Sequence, residues 1–189
     1  MIDKAVDFLR GGGVVIFPTD TVWGIGAWIE SDQGLEKLYR LKEREKEKPT
    51  AILIGDINQA GNYGLVDGRA NELMIKHWPG ALTLIIPANE RVPKILVNSW
   101  GGVGVRYPKS KIVEEICIKL PGGIVASSAN VSGGMAPKSL GEINKYLLDK
   151  ADYTMREAGV LSGKSSTVVD LVGRDVEIIR QGEVVMSKK

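Results

Sequence analysis

The sequence has a single histidine, His77, and a single cysteine, Cys117. They stand far apart in the chain, which argues against a zinc site or a Cys–His nucleophile pair. One cysteine also rules out an internal disulfide framework and fits a reducing, cytoplasmic compartment. No apolar run approaches the roughly 20 residues that a membrane-spanning helix needs. The opening "MIDKAVDFLRGGG" carries charges inside its apolar pattern, unlike a signal peptide. An excess of one charge is missing too: 25 Lys and Arg against 23 Asp and Glu leave a net charge of +2 at pH 7. That is too little to argue for a nucleic-acid protein from charge alone. The acidic residues form no close pair of the glycosidase or metal-dependent hydrolase type. Chemistry therefore falls to Lys, Arg, Ser, Thr, Asn, Asp and the backbone.

The 189 residues, 43% of them hydrophobic, suggest one domain over 1–189, or one with a small appendage, and enough chain for a sizeable core. Ile2, Val6 and Leu9 have helical spacing and Gly11–Gly13 stop that helix. Val14–Phe17 is a run of strong β-formers, and "WGIGAWI" a second short strand. Ser31 is the expected N-cap of a helix carrying Leu35, Leu38, Tyr39 and Leu41. "PTAILIGD", "ALTLIIPA", "GGVGVRYP" and "GGIVASSAN" read as strands; "RANELMIKHW", "SKIVEEICIKL" and "SLGEINKYLL" read as helices. "SSTVVDLV" and "VEIIRQG" read as two strands joined by a turn at Gly173. "SGGMAPKS" is the most loop-like stretch. No repeat or linker interrupts the series, and the mixture argues an α/β domain with a mixed sheet.

Polar clusters sit just after several strand-like runs: "PTDT" after Phe17, Arg106 after "VGV", "SSAN" after "GIVA", and Arg180 after "VEII". Turn chemistry alone predicts such residues at any one strand end. Four such ends, two bearing arginine, point to a ligand site, because open α/β sheets bind ligands beyond the carboxyl ends of their strands. In "RLKEREKEKP" the i,i+4 neighbours Glu43 and Glu47, and Arg44 and Lys48, are of like charge, so helix stabilisation is a poor reason for the run. It reads either as a solvated face or as a cationic edge for phosphates formed by Lys42, Arg44 and Lys48. "SGKSST" is not a P-loop: the position five before Gly163 is Ala158, and a strand-like segment follows where a helix is required. The Gly-rich starts at Gly11 and Gly101 lack the dinucleotide fingerprint. Cys117 reads as core, His77 as a structural or surface histidine, Trp23 as a base-stacking surface, and Trp28 equally as a base-stacking surface or as core. Asp20 has no assigned role.

Taken in order, "GGVVIFPTDTVWGIG", the Lys-x-Arg at Lys42 and Arg44 followed by "KP", "WPGALTLII", "GVGVRYP", "SSANVSG", and "SSTVVDLVG" with "IIRQG" resemble the YrdC/TsaC family of threonylcarbamoyl-AMP synthases. The blocks span almost the whole chain, and Lys-x-Arg combined with Ser128-x-Asn130 is the specific part. The resemblance implies an open twisted mixed sheet with flanking helices, the fold shared with dihydroxybutanone-phosphate synthase, and a basic concave cavity. It implies a nucleotidyltransferase that joins L-threonine, bicarbonate and ATP into threonylcarbamoyl-AMP and pyrophosphate. That product feeds N6-threonylcarbamoylation of adenosine 37 in tRNA, completed by other proteins of the pathway.

Carried over by position, Thr21, Arg106, Ala126 and Ser166 line the threonine site. Arg44, Lys48, Gly102, Ser128 and Arg180 contact ATP, Lys42 contributes charge, and Asn130 shapes its loop. Lys42, Arg44, Ser128 and Asn130 form the catalytic set, with Mg²⁺ held through the phosphates and by no protein ligand. Lys42 and Arg44 are expected to be solvent-accessible, so that their loss impairs turnover far more than folding. The sequence departs from the family pattern at Trp23 (usually Tyr), Ala81 (commonly Pro), Leu53 (His in some members) and Ala136 (Ser in many). Two other readings stand beside this one. The same basic cavity can be that of a structured-RNA-binding module without synthase activity. A carbamoyl-transfer domain of a hydrogenase-maturation protein would sit in a far longer chain.

Overall fold

Why this chain folds as it does is clearest in its second element. Val14–Pro18 (β1) alternates between two cores: Val14 and Ile16 point into one, Val15 and Phe17 into the other. A strand with both faces apolar belongs inside a sheet covered on both sides. The computed structural model describes residues 1–42, 50–157 and 159–186.

Nine strands form one mixed sheet. The others are Trp23–Trp28 (β2), Ala51–Leu53 (β3), Leu82–Pro87 (β4), Gly102–Arg106 (β5), Ile124–Ser128 (β6), Tyr153–Thr154 (β7), Thr167–Asp170 (β8) and Glu177–Arg180 (β9). Their spatial order is β7-β1-β2-β6-β3-β5-β4-β8-β9, so the sheet is open, with β7 and β9 at its edges. The pairs β1/β7, β3/β5 and β4/β8 are parallel and the rest antiparallel.

Helices Ile2–Arg10 (α1) and Lys111–Lys119 (α4) seal one face. Ala5, Val6 and Leu9 of α1 meet Val113, Ile116 and Cys117 of α4 over Val15, Phe17, Leu53 and Ile124. Burying each large apolar side chain of this kind is worth roughly 1.5–3 kcal/mol. The other face is covered by Asp32–Leu41 (α2) and Gly68–His77 (α3), whose Leu35, Leu38, Leu41 and Met74 pack with Ile16, Ile25, Leu84, Val105 and Val125. Ser31 caps α2, its side chain accepting from Gly34 N at 3.1 Å. α1 stops where expected: Gly12 adopts φ +78°, a left-handed conformation that suits glycine.

One expectation changes, and two elements are new. "SLGEINKYLL" is not one helix but a 3₁₀ turn, Leu140–Glu142, followed by Lys145–Lys150 (α5). Asn144 divides them, because its side chain accepts from Tyr146 N at 2.8 Å and starts a new helix. β7 has no counterpart in the sequence reading; it is two residues long and exists through its pairing with Val15 and Ile16. A six-residue 3₁₀ segment, Ile57–Asn62, follows a capping box of Asp56 and Gln59. Gly24 and Gly26 lie within β2, as the strand reading of "WGIGAWI" expects. A Cβ on Gly26 would come within 2.8 Å of Ile124 Cγ2 and Val125 O, so the close approach of β6 requires glycine there.

Candidate active site

The face sealed by α1 and α4 is sealed only in part. Beyond those helices it carries a cavity of about 400 Å³. The register explains its contents. Leu53 stands opposite Arg106, Thr83 opposite Val168, and Val168 opposite Arg180, so both arginines share one face of the sheet. β6 crosses from the core into the cavity: Ile124 is packed beneath the helices, Ala126 lies at the boundary, and Ser128 lines the cavity. The wall is rich in hydroxyls, from Thr19, Thr21, Thr50, Thr83, Ser127, Ser128, Ser165 and Ser166. Among the described residues its charged side chains are Arg106 and Arg180.

Arg106 is buried and held on three sides. Nε donates to Gly80 O at 3.0 Å, Nη1 to Thr21 Oγ1 at 3.1 Å, and Nη2 to Asp20 Oδ1 at 2.6 Å. One further N–H on each terminal nitrogen is left uncommitted among the described residues. Burial pulls this guanidinium below its ordinary pKa, and the charges of Asp20 and Glu183 oppose that shift. Thr21 Oγ1 is in turn 3.0 Å from Thr19 Oγ1, whose hydroxyl also bonds Val22 O at 2.7 Å.

Arg180 is held differently. Nε and Nη2 donate to Ser166 O at 3.1 and 2.9 Å, and Nη2 also reaches Ser166 Oγ at 3.1 Å. Ser166 Oγ lies 2.9 Å from Thr83 Oγ1. The pKa of Arg180 is lowered by burial and then by the positive charge of Arg106. Both guanidinium groups thus stand on the wall of one hydroxyl-lined cavity.

Lys42 is not solvent-accessible, contrary to expectation: it is 3% exposed at the end of α2. Its Nζ donates to Ser128 O at 2.6 Å and to Asn130 O. A buried ammonium needs acceptors, and the loop after β6 returns to supply them. Ser128 Oγ donates to Asn130 Oδ1, while Asn130 Nδ2 holds Val131 O and Gly134 O at 2.8 and 2.7 Å. Lys42, Ser128 and Asn130 are thus one hydrogen-bonded unit, and Asn130 does shape its loop.

Of the other expected site residues, Thr21, Ala126, Ser128, Ser166, Arg106 and Arg180 are brought together on the cavity wall. Gly102 is not on that wall. It begins β5 at the far end from Arg106, where a Cβ would meet Ile85 Cγ2 at 2.6 Å and Val172 Cγ2 at 2.7 Å. Arg44 and Lys48 lie outside the described residues. Trp23 offers no stacking surface, because it is 1% exposed within the α2-side core. Asp20, unassigned from sequence, is the ion-pair partner of Arg106. Their separation of 86 positions leaves no local signal. His77 ends α3 half-buried and away from the cavity wall, and Cys117 is core, its thiol pushed up to about 12 by burial. Among the described residues no three His, Cys, Asp or Glu side chains cluster to hold a metal ion. No helix among them is long and apolar enough to cross a membrane.

Known proteins share this fold. The chain is 32% identical over 168 residues to the threonylcarbamoyl-AMP synthase of Stenotrophomonas maltophilia, covering 87% of each. It is 30% identical to Pyrococcus abyssi Sua5, whose crystal structure with L-threonine superposes with a TM-score of 0.90 over 96% of this chain. That match covers 54% of the Pyrococcus chain, so this chain spans about half of that relative. The crystal structure of Escherichia coli YciO superposes with a TM-score of 0.87 at 27% identity, covering 96% of this chain and 88% of that one. The family model for Sua5, YciO and YrdC proteins, described as "Telomere recombination", matches residues 7–182. With nearly its whole length matched, in sequence and in fold, the chain belongs to the Sua5/YciO/YrdC family.

Proposed function

We propose that this protein is a threonylcarbamoyl-AMP synthase, a nucleotidyltransferase that converts L-threonine, bicarbonate and ATP into threonylcarbamoyl-AMP and pyrophosphate. The observation that carries the reading is the cavity, in which two arginines and a ring of hydroxyls stand beside the Lys42-anchored Ser128–Asn130 loop. The names of the Stenotrophomonas and Pyrococcus relatives, and the threonine bound to the Pyrococcus protein, support the same chemistry.

In this reading the uncommitted N–H groups of Arg106 take the threonine carboxylate, and Thr21, Ala126 and Ser166 form the pocket around the amino acid. Arg180, Ser128, Arg44 and Lys48 serve the nucleotide, whereas Gly102, off the cavity wall, has no part in it. Lys42 acts from beneath the Ser128–Asn130 loop. The threonine amine, in its neutral form, combines with bicarbonate to give a carbamate and water. A carbamate oxygen then attacks the α-phosphorus, and the bond to the pyrophosphate oxygen breaks. Such a displacement depends on positioning and charge neutralisation more than on a strong base, which suits a site built of arginine and hydroxyls. Magnesium enters this scheme as the counter-ion of the triphosphate.

The unit 1–189 works in this scheme as a single cytoplasmic domain. Its product goes to a transferase that places the threonylcarbamoyl group on tRNA. The test is pyrophosphate release by the purified protein. Turnover is expected only when ATP, threonine and bicarbonate are all present, with serine a poor substitute. Turnover indifferent to threonine, together with tight and salt-sensitive RNA binding, would replace this reading with an RNA-binding role.

A further inference from the structure

Arg106 is a long side chain with many rotamers, yet a ligand carboxylate needs it in one orientation. Three groups fix it, and they are not equivalent. Gly80 O and Thr21 Oγ1 are neutral acceptors, whereas Asp20 supplies the charge that a buried guanidinium requires. Asp20 does not line the cavity, although Arg106 does. It therefore acts on the cavity through the arginine. Its own backbone is pinned: Asp20 O accepts from Ser162 N at 3.0 Å, and Thr21 O from Gly163 N at 2.8 Å. A buried ion pair adds little net stability, because desolvation offsets the Coulomb attraction. The value of this one lies in preorganisation.

We infer that Asp20 is a positioning residue that locks Arg106 with two N–H groups uncommitted for the ligand carboxylate, an inference resting on the reading of Arg106 as the threonine-carboxylate ligand. Two effects of Asp20 oppose each other. Its geometry orders the guanidinium, while its charge competes with an incoming carboxylate. Asp20→Ala removes both; Asp20→Asn removes the charge but keeps an oxygen at the Oδ1 position. If ordering dominates, alanine harms threonine binding and asparagine restores it. If competition dominates, both variants bind threonine more tightly.

The experiment measures steady-state turnover against threonine and against ATP in wild type, Asp20→Ala and Asp20→Asn, with circular dichroism as a check on folding. In parallel, ¹H–¹⁵N spectra follow hydrogen exchange at the Arg106 Nε–H. In Asp20→Ala the threonine KM is expected to rise about tenfold, the loss of one charge-assisted hydrogen bond. KM for ATP and kcat should stay within about twofold, since neither depends on the locked edge of Arg106. The Nε–H should lose protection in Asp20→Ala and regain most of it in Asp20→Asn. Unchanged protection in Asp20→Ala overturns the inference, as does a threonine KM that stays put, falls, or rises in step with that for ATP. A wild type without threonine-dependent turnover, whose Arg106 protection still collapses in Asp20→Ala, would keep the positioning role and remove the synthase reading.

Discussion

Two halves of one sheet face differ. Where α1 and α4 lie across it, the strands present Val15, Phe17 and Ile124, all packed away from water. Further across, the same face presents Thr83, Arg106, Ser128 and Ser166 around the cavity. The outward-alternating partners of both halves, such as Ile16 and Val105, go into the same core on the other side. The strand pattern thus runs unbroken through both regions, and only the cover changes. β6 belongs to both, passing from Ile124 through Ala126 to Ser128 within five residues. A site arises here because two short helices do not span nine strands.

The comparison can be broken most forcefully in the open half. Arg106→Lys keeps the charge beside Asp20 but cannot bond Gly80 O, Thr21 Oγ1 and Asp20 Oδ1 at once while also presenting a fork to a ligand. We expect kcat/KM for threonine to fall about a thousandfold, or roughly 4 kcal/mol of transition-state stabilisation, with a smaller loss of stability, about 2 kcal/mol, from the buried acceptors left unpaired. A variant with near-normal kinetics would mean that Arg106 is a structural part of the face, like Leu53 beside it.

The covered half should respond in the opposite sense. Leu9 is fully buried between α1 and the sheet, among Val6, Phe17 and Ile116. Leu9→Ala should cost about 3 kcal/mol of stability through lost burial and the void left behind. Folded enzyme should retain the wild-type threonine KM. Urea titration paired with kinetics at low temperature separates the two, and a shift in KM would mean that the halves are mechanically coupled.

Much of this was legible in the sequence. The apolar Val14–Phe17 run, the Ser31 cap and the polar strand ends each depend on neighbours in the chain, and they located both the sheet and the residues that gather at the cavity. What stayed hidden depends on segments that meet only in the fold. Asp20 finds its role through a β5 arginine 86 positions later. β7 is two residues long and has no pattern of its own. Asn144 divides the last helical stretch because its side chain outcompetes the backbone, a choice that apolar spacing does not register.

Lys42 is the sharpest case, since it opens a run of charged residues and so reads as exposed. From sequence, its loss should impair turnover far more than folding. Its burial reverses that order. In Lys42→Met the carbonyls of Ser128 and Asn130 lose their ammonium donor inside the protein. Leaving buried acceptors unpaired costs about 2 kcal/mol, while the methionine stem keeps most of the packing. The urea midpoint should fall at constant slope. The loop carrying Ser128 and Asn130 then loosens, so KM for ATP should rise by only about threefold, the smaller consequence of a partly retained loop. An unchanged midpoint with a large loss of nucleotide affinity would instead put the Lys42 ammonium in direct contact with ATP, and would move Lys42 from the frame of the site to its surface.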